Sequence, residues 1–260
     1  SSTLALCVGG RTPPESYQSL NEQYDGSSWT ELGDLSTRGR DQLSGIGTTT
    51  SALAVGGYAG NDPPRREVES WDGSSWTEVG DLNAQGYEMG AAGVSNTSGL
   101  VFGGASERTR TESWNGSSWT ELADLNTGTT NPAGCGIQTA ALSINGEGDE
   151  GVESWNGTAW TEVADNTNND RRGAVAAGTY TEAIVYGGGN PSRITKTEKW
   201  DGSSWTELAD MSTATQYAGG GGQSSGFAIN YGGGTPSSPS NSAATEEWST
   251  DHVIKTVTTS

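Results

Sequence analysis

The 260-residue chain lacks most of the side chains on which metal and redox chemistry depend. It has one histidine, His252, and two cysteines, Cys7 and Cys135, which fall in separate apolar segments. A zinc site needs several such ligands at close spacing, and a Ser-His-Asp triad needs a histidine placed against a serine. Two buried free thiols are therefore favoured over a disulfide or a metal pair. We expect no enzymatic activity, no metal ion and no other cofactor.

Basic residues are also scarce, with 13 Lys and Arg against 32 Asp and Glu and a formal net charge of -19. This excess of negative charge disfavours attraction to nucleic acid or to an anionic membrane surface. No run of 18 apolar residues occurs, so we also expect no membrane insertion. The acidic segment Glu147-Gly148-Asp149-Glu150 is the best cation candidate, although an ordinary solvated loop is the favoured interpretation.

Apolar residues make up only 31% of the chain, but it contains 40 glycines and ten tryptophans. Many turns and a few large aromatic side chains must therefore provide the burial. The tryptophans recur within one short segment, of which Trp71-Asp72-Gly73-Ser74-Ser75-Trp76 is a complete copy. Other copies begin at Tyr24, Trp114, Trp155 and Trp200, and Trp248 begins a sixth copy in which Val253 holds the second aromatic position.

The second tryptophans lie 41 to 47 residues apart. A glycine-rich period in the low forties without helical patterning is typical of propeller blades. In the second repeat, the segments 43–47, 52–55, 68–71 and 76–79 each have strand character, and Asp72-Gly73 supplies a hairpin turn. Four antiparallel strands form one blade, and the first of them is rich in glycine and alanine because inner strands crowd around the axis.

The pattern predicts an all-β fold with one domain of six blades. The predicted blade bounds are 1–36, 37–83, 84–126, 127–167, 168–212 and 213–260. The first blade starts at its second strand, since no small-residue strand comes before Leu4. The C-terminal segment 253–257 aligns with the fourth strand of blade six and does not resemble the missing inner strand. Either residues upstream of Ser1 belong to the protein or the first blade has only three strands, and of these two interpretations we favour a fragment of a longer chain.

Five paired glycines each follow an apolar strand and precede the aromatic pair: Gly9-Gly10, Gly56-Gly57, Gly103-Gly104, Gly187-Gly188 and Gly232-Gly233. With this feature the chain resembles the kelch repeat of galactose-oxidase-like propellers over essentially its whole length. The fourth repeat departs from the pattern with Asn145-Gly146. The near-identical Asp/Asn-Gly-Ser-Ser-Trp-Thr-Glu units also resemble kelch-like propellers of marine bacteriophages. Those proteins are usually assigned to tail fibres or other virion appendages.

Antiparallel connectivity places the loops from second to third strands and the loops between blades on one face, which we call the loop face. The tight Asp-Gly turns lie on the opposite face, which we call the turn face. Of the 13 basic residues, 11 map to the loop face, whereas acids such as Glu69, Asp72, Glu78 and Asp81 are expected on the rim and the turn face. The predicted ligand-binding residues are Arg38, Arg40, Tyr58, Arg65, Arg66, Tyr87, Arg108, Arg110, Arg171, Arg172, Arg193 and Tyr217.

Arginine forks suit carboxylates and phosphates, and tyrosine rings suit sugar faces, so the loop face is predicted to bind a glycan or lipopolysaccharide. Alternatively, these arginines only pair with nearby acids. The resemblance to phage appendages implies a virion protein that acts outside the host cell, with a host receptor and other virion proteins as partners and a possible homo-oligomeric state. A packing or decoration role in the virion and a kelch adaptor for another protein remain alternatives.

The tryptophans are predicted to be buried between blades. Replacing Trp119 by alanine should therefore lower the free energy of unfolding by about 3–5 kcal/mol, the cost of deleting a large buried aromatic side chain. Equilibrium denaturation measures this change, and a loss below about 1 kcal/mol would contradict burial.

Overall fold

A computed structural model describes residues 4–12, 16–60, 62–148, 151–168, 171–189, 191–234, 242–249 and 254–257. These residues form strands and no helix, and therefore no helix that could cross a membrane is found among them. Six of the antiparallel sheets that they build are arranged as the blades of a propeller, and this confirms the predicted fold class.

Blades two to six have four strands each, in chain order from the axis to the rim. They are β6 (Ser44–Thr48), β7 (Ser51–Val55), β8 (Val68–Trp71) and β9 (Trp76–Glu78); β10 (Gly90–Ser95), β11 (Ser98–Phe102), β12 (Thr111–Trp114) and β13 (Trp119–Glu121); β14 (Ala133–Ile137), β15 (Ala140–Ile144), β16 (Val152–Trp155) and β17 (Trp160–Glu162); β18 (Val175–Thr179), β19 (Glu182–Tyr186), β20 (Thr197–Trp200) and β21 (Trp205–Glu207); and β22 (Gly219–Ser224), β23 (Phe227–Tyr231), β24 (Thr245–Trp248) and β25 (Ile254–Val257).

Blade one has a three-stranded sheet of β1 (Ala5–Val8), β4 (Asn21–Tyr24) and β5 (Trp29–Glu31). Its loop carries a small hairpin, β2 (Arg11–Thr12) and β3 (Ser16–Tyr17), which the sequence pattern did not predict. The described residues place no strand on the axial side of β1, as predicted. At the other end of the chain, β25 pairs with β24 as the fourth strand of blade six, also as predicted.

The hydrophobic core consists of six clusters, one at each interface between neighbouring blades. In the cluster between blades four and five, for example, Leu142 and Ile144 pack against Val185 and Trp200. Blades six and one meet through Ile229 and Tyr24. Since every blade buries its apolar faces against two neighbours, no blade has a core of its own.

The paired tryptophans link strands and blades. In blade four, the ring centroids of Trp155 and Trp160 lie 5.3 Å apart. The Trp160 indole N–H donates to the Thr111 hydroxyl of blade three at 2.9 Å. Trp29 makes the corresponding contact across the ring closure, because its indole N–H donates to Thr245 of blade six at 3.1 Å. Trp119 is 6% exposed. It is therefore buried, as the predicted loss of unfolding free energy in Trp119→Ala requires.

A buried glutamate from the third strand of each of blades two to six bonds to the loop that connects its own blade to the preceding one. We call these residues the latch glutamates: Glu69, Glu112, Glu153, Glu198 and Glu246. The Glu153 carboxylate accepts the backbone N–H groups of Asn126 and Thr127, both at 3.0 Å, in the loop that follows blade three. The other four latch glutamates accept two consecutive N–H groups in the same way.

The latch geometry corrects one prediction. Glu69 was expected on the rim, but it is fully buried, whereas Asp72, Glu78 and Asp81 are exposed. A buried carboxylate is tolerated only when donors satisfy its oxygens. The consecutive N–H groups of the interblade loop supply those donors. Glu69, which has no distinguishing feature in the sequence, therefore connects its blade to the preceding loop.

Replacing Glu153 by alanine should lower the free energy of unfolding by about 2–4 kcal/mol, because two backbone N–H groups and the Asn126 side-chain amide lose a charged acceptor. Chemical denaturation gives this value. Glu162 is the residue paired with Glu153 on the neighbouring strand β17, but it is exposed. Glu162→Ala should therefore change the free energy of unfolding by less than about 0.5 kcal/mol. Equal effects of the two substitutions would contradict the latch.

The turn face repeats one hydrogen-bond pattern. The Asp72 carboxylate accepts the N–H groups of Ser74 and Ser75 at 2.8 and 2.9 Å and the Ser74 hydroxyl at 2.8 Å. Asn115 and Asn156 accept the equivalent bonds with their amide oxygens in blades three and four. These turns are therefore closed by the side chain of their first residue, whether or not it is charged.

Bonding to the Ser74 hydroxyl and to the Ser75 amide lowers the pKa of Asp72 to about 2. Since the pKa is about 3.9 in an unfolded chain, the turn contributes stability that is complete above about pH 4 and is lost as the pH falls toward 2. Carbon NMR of the carboxyl group should show this low pKa. Asp72→Asn should keep the turn and remove its pH dependence, whereas a carboxyl that titrates near pH 4 would contradict the hydrogen-bond pattern.

Candidate ligand-binding face

The loops from second to third strands and the loops between blades lie against each other. Isolated β-bridges join them in three places, Asp41 with Tyr58, Thr130 with Glu147 and Gln216 with Gly234. The second paired glycine also contributes, because the Gly57 N–H donates to the Gly86 carbonyl at 2.8 Å. The structure thus forms a continuous loop face, as the connectivity predicted.

Asn145 takes the place of the first paired glycine in blade four. Its φ of 53° is left-handed, close to the 62° of Gly56 in blade two. Asparagine is one of the few residues that adopt this conformation at low cost. Its side chain exchanges two hydrogen bonds with the buried Asn166 amide, at 3.1 and 2.8 Å. The irregular repeat therefore keeps the backbone shape of the loop face.

Five residues form a ring where the inner strands begin, and we call this set the mouth ring. Its members are Gln42, Glu88, Asn131, Gly173 and Tyr217. All five have left-handed backbone, with φ between 53° and 66°, although four of them are not glycine. Each backbone N–H from blade three onward donates to the carbonyl of the preceding member, at distances of 2.8 to 3.3 Å.

Left-handed backbone at a non-glycine residue is strained and persists only where the surroundings impose it. In the mouth ring, the relay of backbone hydrogen bonds around the axis imposes it. The side chains of these residues therefore have fixed directions. Strain of this kind is concentrated at functional sites, and the ring is thus a candidate centre for recognition.

Arg172 lies at the centre of the mouth-ring side chains. Its guanidinium is 3.5 Å from the Glu88 carboxylate and 2.7 Å from that of Glu147, and its Cζ atom lies 5.5 Å from the Tyr217 ring centroid. Gln42 donates a side-chain hydrogen bond to Glu88 at 2.9 Å. Glu88 is buried, whereas Tyr217 is 43% exposed. The group therefore combines an exposed aromatic ring with a buried carboxylate.

Two further predicted residues, Tyr58 and Tyr87, lie beside this group. Their ring centroids are 5.5 Å apart, and Tyr17 of blade one approaches Tyr58 edge-on at 6.3 Å. Desolvation, followed by the charge of Glu88, raises the pKa of the Tyr87 hydroxyl, and the positive charge of Arg172 opposes this shift. Tyr87 also directly precedes Glu88, whose carboxylate lies 3.5 Å from the Arg172 guanidinium. The structure thus brings Tyr58, Tyr87, Arg172 and Tyr217 together.

Arg40 and Arg171 do not belong to this surface. The Arg40 guanidinium is buried against Glu69 at 3.2 Å, and that of Arg171 is buried against Glu198 at 2.7 Å. Burial lowers the pKa of Arg171 to about 10, and its partner Glu198 opposes the shift. Both arginines support latch glutamates, so the prediction that they contact a ligand is incompatible with their positions.

The remaining predicted arginines have other contacts, most of them local. Arg38 and Arg65 both bond to Asp62, and Arg110 pairs with Glu107 and with other acids of blade three. The pairing of loop arginines with nearby acids, the alternative considered from the sequence, thus holds for these three. Arg66 donates to the Leu82 carbonyl at 2.8 Å, Arg108 reaches the Glu147 carbonyl at 3.4 Å, and Arg193 lies close enough to Tyr217 to affect its pKa.

The sequence prediction missed Gln42, Glu88, Asn131 and Glu147. One signal was available for the first three, since each mouth-ring residue stands two positions before an inner strand. This position holds Gln, Glu, Asn, Gly and Tyr in five successive repeats, whereas the following strands are uniformly small. Variation at one register position within an otherwise regular repeat is the expected mark of a recognition position.

The cysteines and acids show no assembled reactive site among the described residues. Cys7 and Cys135 are unpaired, and burial raises the pKa of the two thiols to about 11 and about 12. Within the same part of the chain, no group of three or more His, Cys, Asp or Glu side chains is arranged to hold a metal ion. Asp149 and Glu150 of the acidic loop, and His252, lie outside the described residues.

Comparison with known proteins identifies the fold but no family. No protein-family model matches the chain, and no curated protein matches its sequence. Among solved structures, that of YjhT matches with a TM-score of 0.77 and 15% sequence identity, over 92% of this chain and 91% of that one. At this identity the likeness establishes a propeller alone. Propellers include both enzymes and binding proteins, so the kelch resemblance, the phage relationship and the absence of catalysis stay predictions.

Proposed function

We propose that this propeller is a non-enzymatic binding module that recognises a carbohydrate through the Arg172 group of the loop face. The single observation that carries the proposal is the convergence of Arg172, Glu88, Glu147 and Tyr217 at the mouth ring. The fold is compatible with a binding role. Loops held by a rigid scaffold commonly supply recognition residues.

The chemistry of the group favours hydroxyl-rich ligands. The Arg172 guanidinium already bonds to Glu147, so a phosphate or a carboxylate would have to displace an existing carboxylate. A sugar hydroxyl instead donates to a carboxylate and accepts from a guanidinium at the same time. The exposed Tyr217 ring offers an apolar face for the C–H side of a pyranose. A neutral glycan therefore fits better than an acidic one.

The resemblance to phage appendage proteins provides the biological setting of the proposal. In that setting the ligand is a glycan of the host cell surface, including the sugar part of lipopolysaccharide, and the chain acts outside the cell as part of a virion tail or fibre. Other virion proteins and further copies of the chain are its proposed partners.

The turn face supports a second candidate function. Five turns, which begin at Asp25, Asp72, Asn115, Asn156 and Asp201, carry the same side-chain-to-backbone bonds around the ring. A repeated exposed motif of this kind suits docking onto a symmetric assembly. This packing role would use the face opposite to the glycan site and is compatible with it.

A glycan array tests the main proposal. We expect the wild-type chain to bind a defined set of neutral glycans, and we expect Arg172→Ala to weaken binding at least tenfold, since a hydrogen bond to a charged group contributes about 1.5–3 kcal/mol. Tyr217→Ala should weaken binding as well.

Lys199→Ala is the matched control. Lys199 has the same side-chain exposure as Arg172, 31%, and is also paired with a glutamate, but it lies on β20 away from the loop face. It should leave binding unchanged. Glycan binding that survives Arg172→Ala, or a folded wild-type chain that binds no glycan on the array, would reject the proposal.

A further inference from the structure

A second aromatic surface lies beside the Arg172 group, and the proposed function does not use it. Tyr58 of blade two and Tyr87, in the loop between blades two and three, have ring centroids 5.5 Å apart and ring planes inclined by 30°. Tyr17 of blade one meets the Tyr58 ring edge-on, with an interplanar angle of 82°. Tyr58 and Tyr87 are both partly exposed. We call these two residues the tyrosine pair.

The backbone connects the tyrosine pair to Glu88. Tyr87 directly precedes Glu88 in the chain. Tyr58 exchanges two backbone hydrogen bonds with Asp41, both at 2.9 Å. Gln42 follows Asp41, and its side chain donates to the Glu88 carboxylate at 2.9 Å. The backbone of both tyrosines is therefore fixed beside the same buried carboxylate.

At the other end of this surface, the Tyr217 ring lies against the backbone of Gly173. A Cβ atom added to Gly173 would lie 2.6 Å from Cδ1 and 2.9 Å from Cε1 of the ring, so a side chain at this position would displace it. The Cζ atom of Arg172 lies 5.5 Å from the ring centroid. Tyr217 is nevertheless exposed. The ring is held from the protein side and keeps surface available to a ligand.

The charged centre joins the two aromatic surfaces. The Arg172 guanidinium lies 3.5 Å from the Glu88 carboxylate, next to the tyrosine pair, and also contacts the Tyr217 ring. The backbone carbonyl of Arg172 accepts hydrogen bonds from the buried Gln216 side chain at 3.1 Å and from the Gly189 N–H at 3.2 Å. An aromatic surface, a charged centre and a second aromatic surface thus follow one another from blade two to blade six.

This alternation suits a chain of sugars better than a single sugar. A pyranose has an apolar C–H face that packs on an aromatic ring, and hydroxyl groups that bond to carboxylates and guanidinium groups. One sugar on Tyr217 reaches Arg172, but the tyrosine pair lies beyond Glu88. Linked sugars place further rings along the surface, and each later contact is then made within the complex instead of by a separate binding event.

We propose that the loop face binds a linear neutral oligosaccharide, in which one hexopyranose unit stacks on Tyr217 and a later unit stacks on the tyrosine pair. Hydroxyl groups between these units contact Arg172 and Glu88. This inference rests on the proposed function and adds the ligand class to it. The Arg172 group contributes to binding at every ligand length, whereas the tyrosine pair contributes only when the ligand is long enough to reach it.

The test measures binding of neutral homo-oligosaccharides to the 260-residue chain by titration calorimetry. The probes are oligomers of glucose, galactose and mannose, each at lengths from the monosaccharide to the hexasaccharide. In the series that binds, affinity should rise by about tenfold or more with length and then level off, because the contacts with the tyrosine pair add to those at Tyr217.

Tyr58→Ala should weaken hexasaccharide binding roughly three- to tenfold, the contribution of one aromatic contact, and should leave monosaccharide binding unchanged. Arg172→Ala should weaken binding at both lengths. Tyr180→Ala is the matched control, since Tyr180 is a similarly exposed tyrosine in the connection between β18 and β19 on the turn face. It should bind every length like the wild type.

The outcomes separate this inference from the proposed function. Equal affinity for the monosaccharide and the hexasaccharide, with loss of both in Arg172→Ala, would overturn the extended site and leave the proposed function standing. An equal effect of Tyr58→Ala at both lengths, or none at either, would also overturn the extended site. A folded wild-type chain that binds no probe of any length rejects the extended site, and a negative glycan array would reject the proposed function with it.

Discussion

The structure depends on the buried latch glutamates. Each of these glutamates is at most 4% exposed, so the two N–H groups that satisfy its carboxylate must stay in place. That requirement fixes the loop from the preceding blade at a defined point and hence the start of the next inner strand. The mouth ring follows directly, since its left-handed residues stand between the latch and the strand. Stability between blades and the geometry of the loop face thus have a common origin.

Two latch glutamates are paired with a buried arginine, so not every arginine that the sequence places on the loop face is available to a ligand. Arg40 and Arg171 stabilise the interior, and most exposed arginines are paired with acids. Much of the positive charge on the loop face is therefore matched by neighbouring carboxylates. Its specific chemistry is local to Arg172, where two carboxylates and a tyrosine share one guanidinium.

The sequence alone predicted the blade count, the turns and the strand order, because these depend on a periodic pattern of tryptophan, Asp-Gly and small residues. It did not predict that Glu69 is buried, since its partners Ser36 and Thr37 lie 33 and 32 positions away in the sequence and nothing local distinguishes it from Glu78. Tyr58, Tyr87, Arg172 and Tyr217 were predicted as site residues from loop position. Their fixed acidic partners Glu88 and Glu147 required the backbone geometry of the mouth ring.

Native-state hydrogen exchange tests the latch account most directly. The account predicts that the amides of Asn83, Asn126 and Thr167, which donate to latch glutamates, exchange only through global unfolding, together with the amides of the inner strands. Latch amides that exchange as fast as those of exposed turns would contradict the claim that these glutamates hold the ring together.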